Sequence, residues 1–225
     1  MLRGTLSIVI CSKNEASTIA KVIKAVQKYQ GEILVIDGHS RDKSREIAQK
    51  LGCRVFLDGG RGKGEAIRLG IRKAKGKIII FIDADGSHEV RDIPNLIRPI
   101  LEEKADLVIA SRGKGGSDEL HGDFEKLLRL IGSTIITLVI NLRFRTHLTD
   151  SQNGFRAIKK EVALALNLEE NIFTIEQEMI IKALKKGHRV AEIPSHEYAR
   201  EIGSSHINLL TMGPRYLWCL LKNIF

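Results

Sequence analysis

The feature that most constrains this chain is Ile78-Ile79-Ile80-Phe81-Ile82, five apolar residues that run straight into Asp83-Ala84-Asp85. A short unbroken apolar run bounded by turn formers is the pattern of a strand covered on both faces. Such strands lie in sheets between helix layers, where ligands bind beyond the carboxyl ends of the strands. Two carboxylates one residue apart at that end suit a hard divalent cation, Mg2+ or Mn2+, that also holds phosphate oxygens. They would equally stand as solvated charges at an ordinary strand end, so other residues decide between the readings.

Four more β-rich runs surround this one: Thr5 to Cys11, Glu32 to Ile36, Arg54 to Leu57 and Asp106 to Ser111. Helical patterns separate them, ending near Tyr29 and spanning Asp42 to Leu51, Glu65 to Ala74 and about Asp92 to Lys104. In the first of these, Ile19, Val22, Ile23 and Val26 share one helix face. Strand and helix alternate about five times in roughly 110 residues, which predicts an α/β fold with a mostly parallel sheet and helices on both faces. Ser12 to Glu15, Asp37, Asp83, Asp85, Ser111 and Arg112 all fall where these strands end. In such a sheet those positions meet at one edge.

Each polar group carries two readings. Asp37 could accept hydrogen bonds from a base or ribose, or cap a turn or the next helix. Arg61-Gly62-Lys63-Gly64 lacks Walker A or dinucleotide-fold spacing. It is either a flexible basic turn or a phosphate cradle, Lys63 preceding a helix whose N-terminus attracts anions. Arg112, read as an unpaired cation beside the acids, suits phosphate; the alternative is a surface salt bridge.

The second half breaks the rhythm. Leu127 to Leu142 is very apolar, with Arg129 its only charge. It reads as a buried helix, a homodimer interface or a helix lying in a membrane interface. Asp150 to Arg156 is turn-rich, Glu161 to Leu166 a short helix, and Ile175 to Lys186 a helix carrying Glu176 and Glu178. Val190 to Ile193 is a strand, Arg200 to His206 a loop, and Ile207 to Phe225 an amphipathic segment broken at Gly213-Pro214. With no repeat or linker, one domain is expected over 1–225. That domain changes character near Ser111, dividing it into halves 1–112 and 113–225, the second with amphipathic segments 127–142 and 207–225.

Composition narrows the partners. The formal charge is +9, from 36 Lys and Arg against 27 Asp and Glu, which favours anionic ligands. Aromatics are 5%, too few for a base-stacking platform, and there is no nucleic-acid-binding motif, so no nucleic acid is expected. Cys11, Cys53 and Cys219 form no CxxC pair, which argues against a disulfide framework or structural zinc and for a cytoplasmic setting. No signal peptide is read before the first strand. No uninterrupted apolar run reaches about 18 residues, so no transmembrane helix is expected.

Taken in order, Cys11-Ser12-Lys13-Asn14-Glu15, Ile36 to Asp42, Gly62 to Ala66, Asp83-Ala84-Asp85, Ser111-Arg112, Asp150 to Arg156, Glu192-Ile193-Pro194 and Arg200 to Ser205 form a series. The chain carrying it resembles the GT-A-fold family 2 glycosyltransferases, and among them the dolichol- or polyprenol-phosphate mannose, glucose and N-acetylglucosamine synthases. The resemblance implies an inverting, metal-dependent transfer of a hexosyl group from a UDP- or GDP-sugar to a polyprenyl phosphate, at the cytoplasmic face of a membrane. It implies that Cys11, Ser12, Glu15 and Asp37 contact the nucleoside, and that Asp83, Ala84 and Asp85 bind metal and diphosphate with Lys63 nearby. Arg200 would reach the diphosphate from a loop that Gly203 and Ser204 let close. Arg112, Arg129 and Gln152 would hold the acceptor, and Asp85, Arg112 and Glu176 would form the reacting centre, with Glu178 in the same motif.

Three positions depart from the family pattern: Ser87 stands where a Gln metal ligand is usual, Gly38 where a second nucleoside Asp is usual, and Ser205-His206 where Ser-Lys is usual. With Ser87 there, the two acids would hold their metal only when a diphosphate completes its shell. Two rival functions remain. A soluble acceptor would need a base from Asp150, Glu176 or Glu178. A non-catalytic nucleotide or nucleic-acid-binding module would need none of the acids and arginines.

Overall fold

The computed structural model describes residues 4–118, 124–200 and 209–225, with the side chains of 124–125 and 209–211 outside the description. The first half alternates as expected: β1 (Leu6–Ser12), α1 (Ile19–Gln27), β2 (Glu32–Asp37), α2 (Ser44–Lys50), β3 (Arg54–Leu57), α3 (Lys63–Lys73), β4 (Ile78–Asp83), α4 (Ile93–Leu101) and β5 (Leu107–Ser111). There follow α5 (Arg112–Gly115), α6 (Phe124–Phe144), β6 (Arg156–Lys159), α7 (Lys160–Ala165), α8 (Ile175–Lys185), β7 (Val190–Pro194) and α9 (Leu209–Ile224).

The apolar runs are strands because helices cover both faces. Leu6, Ile8 and Ile10 of β1 join Ile78, Ile80 and Ile82 of β4 beneath α1 and α4. Val9, Ile79 and Phe81 face the other way, into a core shared with α3, α6, α7, α8 and α9. Full burial of each such side chain stabilises the fold by about 1.5–3 kcal/mol.

The seven strands run in the order β3-β2-β1-β4-β6-β5-β7. All neighbours are parallel except at β6, which is antiparallel to both β4 and β5. The sequence reading ended the turn-rich stretch at Arg156 and missed β6. Four residues with a basic one at each end make no apolar run; they form a strand because β4 and β5 offer them two open edges. Strands are added on one side of β1 as far as β3, and the chain then crosses back to place β4 on the other side. The carboxyl ends of β1 and β4 therefore flank a topological switch point.

One helical expectation is corrected, and one of the three readings of the apolar segment is set aside. The break at Gly213-Pro214 does not occur, because α9 runs through Pro214. A proline there removes one backbone hydrogen bond, offset by burying Met212, Tyr216, Cys219, Leu220 and Ile224. Helix α6 is not a buried helix either: Thr137 and Ile140 are buried, whereas Leu127, Leu128, Ile131, Ile135, Leu138 and Leu142 are exposed. Although Arg129 interrupts the apolar run, residues 126–144 form one helical stretch long and apolar enough, by length and composition, to cross a membrane, and 11% of its apolar window is buried.

Candidate active site

The loop after β1 hangs on the loop after β2. Asn14 N donates to Ser40 Oγ at 2.8 Å, Glu15 N to Ser44 Oγ at 2.8 Å and Ala16 N to Asp42 Oδ2 at 2.9 Å. Asp37 organises that second loop: its Oδ1 accepts Ser40 N at 2.9 Å and lies 3.6 Å from Arg45 Nε. The side chain is fully buried. Asp37 thus follows the turn-capping reading, and Gly38 stands in the cavity wall in its place. The cavity, about 410 Å³, is lined by Cys11, Ser12, Glu15, Lys63, Asp83, Ala84, Asp85 and Arg200, together with Asp58 and Phe173. Burial raises the Glu15 carboxyl above the usual glutamate range.

Helix α3 begins at Lys63 after Gly62, whose φ is +122°; a Cβ there would lie 2.7 Å from Asn171 O. This start aims Lys63 inward, between two acids rather than into an open phosphate loop. Its Nζ lies 2.8 Å from Asp83 and 3.0 Å from Glu176 Oε1. Burial works against the Lys63 charge, but Asp83 and Glu176 outweigh it and hold the ammonium firmly protonated. Burial likewise opposes the Asp83 charge, and Lys63 and His88 hold its carboxyl far below the usual range. Gly154 makes room for this group: a Cβ there would stand 2.7 Å from Lys63 Nζ and 2.9 Å from Asp83 Oδ2. Ser87, in the position of the usual third ligand, donates to Asp85 Oδ1 from N at 3.1 Å and Oγ at 2.8 Å.

Asp83 and Asp85 offer hard carboxylate oxygens in a cavity wall, the donor chemistry of a Mg2+ or Mn2+ site. Among the described residues no three His, Cys, Asp or Glu side chains form a closed metal cage. The donor set therefore fits an ion whose remaining positions are filled by phosphate oxygens and water.

A second cavity, about 280 Å³, brings Arg112, Arg129 and Gln152 together with Ser133, Ile135, Ile136, Met212, Tyr216 and Leu217. The expectation of an unpaired Arg112 is corrected. It forms a two-point pair with Asp150 and also reaches Glu197 Oε2 at 3.4 Å. Antiparallel insertion of β6 places Asp150, just before it, beside the end of β5. Against the effect of burial, Arg112 keeps the Asp150 carboxyl low. Glu178 faces neither cavity: it accepts Glu169 N and Glu170 N and pairs with Lys182 at 2.7 Å. Arg156, fully buried, donates to Glu176 O at 2.7 Å and to Asn153 O, tying the start of α8 to the turn before β6.

Sequence reasoning missed Phe173 and Tyr216. Phe173 lines the first cavity, Tyr216 lines the second, and Tyr216 Oη donates to Phe173 O at 3.3 Å. Nothing in their local sequence distinguishes them from core aromatics. Gly203, Ser204, Ser205 and His206 lie outside the described residues.

Residues 7–166 match the family described as Glycosyl transferase family 2. The chain belongs to that family. As a family 2 glycosyltransferase it is 34% identical to glycosyltransferase AglJ of Haloferax volcanii over 85% of this chain and 62% of that protein. It is 29% identical to the dolichol-phosphate mannosyltransferase of Pyrococcus furiosus over 96% of this chain and 64% of that protein. The chain thus spans under two thirds of the length of these two relatives. Its fold superposes on glucosyl-3-phosphoglycerate synthase of Mycobacterium tuberculosis with a TM-score of 0.75 at 22% identity, covering 98% of this chain and 80% of that one, in a structure holding Mn2+, uridine diphosphate and glucosyl-3-phosphoglycerate. The GT-A class and the glycosyltransferase activity expected from the sequence are both met.

Proposed function

We propose that this glycosyltransferase moves a hexosyl group, with inversion, from a nucleotide-diphosphate sugar to a polyprenyl phosphate at the cytoplasmic surface of a membrane. One observation carries the reading. The second cavity has arginines at its polar end and apolar walls, and two wall residues, Ile135 and Leu217, also belong to the exposed apolar faces of α6 and α9. An anionic headgroup on an apolar chain fits that combination.

In this reading the first cavity takes the donor. Glu15, Cys11 and Ser12 meet the nucleoside, and Asp37 holds the loop behind it. Asp83 and Asp85, with the Ala84 backbone between them, hold Mg2+ or Mn2+, which when bound offsets the charge developing on the departing diphosphate. Arg200 serves the diphosphate. Arg112, Arg129 and Gln152 receive the acceptor phosphate, and Glu176 stands behind Lys63 at the reacting centre. A phosphate monoester has a second pKa near ~6, so this nucleophile arrives largely ionised and needs no strong base. That agrees with Asp150 being committed to Arg112 and Glu178 facing elsewhere. The mannosyltransferase relative supports a lipid phosphate, and the Mn2+–uridine diphosphate complex of the structural neighbour supports metal and nucleotide.

The test is a panel of UDP- and GDP-sugars offered with a polyprenyl phosphate and, separately, with small phosphorylated acids, reading products by mass. We expect glycosylated lipid phosphate from one donor class. Product only on the soluble acids would replace the lipid by the acceptor type that the neighbour's complexes suggest, and no product with any donor would end the reading.

A further inference from the structure

Each carboxylate oxygen of the two candidate metal ligands already has a protein partner. Both oxygens of Asp83 lie 2.8 Å from Lys63 Nζ, and Oδ2 also lies 3.3 Å from His88 Nε2. Asp85 Oδ1 accepts two hydrogen bonds from Ser87, and Oδ2 lies 3.3 Å from Arg200 Nε. Of these partners, Lys63 is the ammonium in contact with both oxygens of Asp83. Its side chain is 14% exposed, Glu176 Oε1 holds it from the far side, and the Phe173 ring lies 5.6 Å from its Nζ. The bare Cα of Gly154 lets the ammonium sit in that place.

We propose that Lys63 is a resident counter-cation that makes uptake of the divalent ion depend on the nucleotide diphosphate. This rests on the metal-dependent reading above and adds a role for a residue that the reading placed only near the phosphates. Two unpartnered carboxylates in a sheltered crevice would attract a dication unaided. With an ammonium already in contact with Asp83, an arriving dication meets a fixed like charge and one fewer available carboxylate. The negative charge of a diphosphate reverses that balance and gives Arg200 an alternative partner to Asp85. The site would then take the dication together with a nucleoside diphosphate rather than alone.

The test is Mn2+ binding to the full chain, followed by the electron paramagnetic resonance signal of the free ion, with and without UDP or GDP. We expect the wild-type protein to bind Mn2+ alone about tenfold or more weakly than with its nucleotide. Lys63→Met should bind Mn2+ alone about tenfold or more tightly than wild type, while Lys63→Arg, which keeps the charge, should stay close to wild type. Where Lys63→Met does not fold, because Asp83 and Glu176 are left facing each other, Lys63→Met with Glu176→Gln carries the same expectation. If the wild type takes up Mn2+ with nucleotide and the charge-removing variants bind Mn2+ alone no better than it does, the counter-cation role is wrong and the metal site stands. If the wild type takes up no Mn2+ with either nucleotide, the metal assignment falls and this inference with it.

Discussion

Arg112 and Asp150 meet at two points: Nε reaches Oδ2 at 2.6 Å and a terminal nitrogen reaches Oδ1 at 3.0 Å. The pair is buried, with 13% of the arginine side chain and 4% of the aspartate side chain exposed. It fixes the plane of the guanidinium at the edge of the second cavity. Glu197 is the other carboxylate on that guanidinium.

Removing one partner of such a buried pair costs about 3–5 kcal/mol, because the other charge stays buried. Asp150→Ala should lower the melting temperature by several degrees and raise the KM for the acceptor while leaving nucleotide affinity near wild type. Calorimetry and acceptor titration check this. A variant with wild-type melting and wild-type acceptor KM would show that the pairing orients nothing.

Gly154 is the next test. An added methyl group would press on Lys63 Nζ and Asp83 Oδ2, and neither can swing aside freely because each holds the other. Gly154→Ala should destabilise the protein by about 1–3 kcal/mol, the usual cost of overpacking. It should also weaken binding of Mn2+ with nucleoside diphosphate, measured by isothermal titration. Binding indistinguishable from wild type would mean that the cradle around Lys63 has slack.

The exposed apolar faces make a separate prediction. Leu138 on α6 and Trp218 on α9 are 53% and 67% exposed and line neither cavity. Burying a large apolar side chain contributes about 1.5–3 kcal/mol. Leu138→Ser combined with Trp218→Ser should therefore cut flotation with anionic liposomes by about tenfold or more and leave nucleotide binding in solution unchanged. Equal flotation of the double variant and the wild type would remove these faces from membrane attachment.

Glu15 sets a pH dependence. Burial raises its carboxyl above the usual glutamate range, so the folded protein holds that proton more tightly than the unfolded chain does. Its contribution to stability is present below the unfolded-state value and is lost as pH rises through the folded value. Nucleoside binding runs the opposite way if the carboxylate accepts hydrogen bonds from the ligand. Affinity for UDP or GDP should then fall as pH is lowered through that raised range, and Glu15→Gln should flatten the profile. A wild-type profile that is already flat would take Glu15 out of nucleoside recognition.

Much of the fold was readable in one dimension. The run Ile78 to Ile82 could only be a doubly covered strand, and the alternation around it called for helices on both faces. Asp83 and Asp85 sat at the end of that strand in any arrangement, and the structure puts both in the wall of one cavity. Strand β6 was not readable, because its pairing comes from the open edges of β4 and β5 rather than from its own four residues. The sequence left Asp37 open between ligand contact and turn capping, and it did not show that Glu178 is buried against Glu169 N, Glu170 N and Lys182, because an acid at a strand end or helix start has the same sequence signature whichever way it faces.

By itself, the sequence determined the strands, the helices of the first half and the positions where polar groups had to gather, because burial of apolar runs is a local property with a fixed period. Only the tertiary structure decided which charges meet. Lys63 and Asp83 are 20 residues apart, and Arg112 and Asp150 are 38 apart. Neither pair could be read from its own neighbourhood, since each contact is made by strand order and by the antiparallel insertion of β6. The opening stretch therefore ends not in two open carboxylates but in two that are already partnered, a state that depends on residues drawn from α3, from the loop after β7 and from the loop after β4.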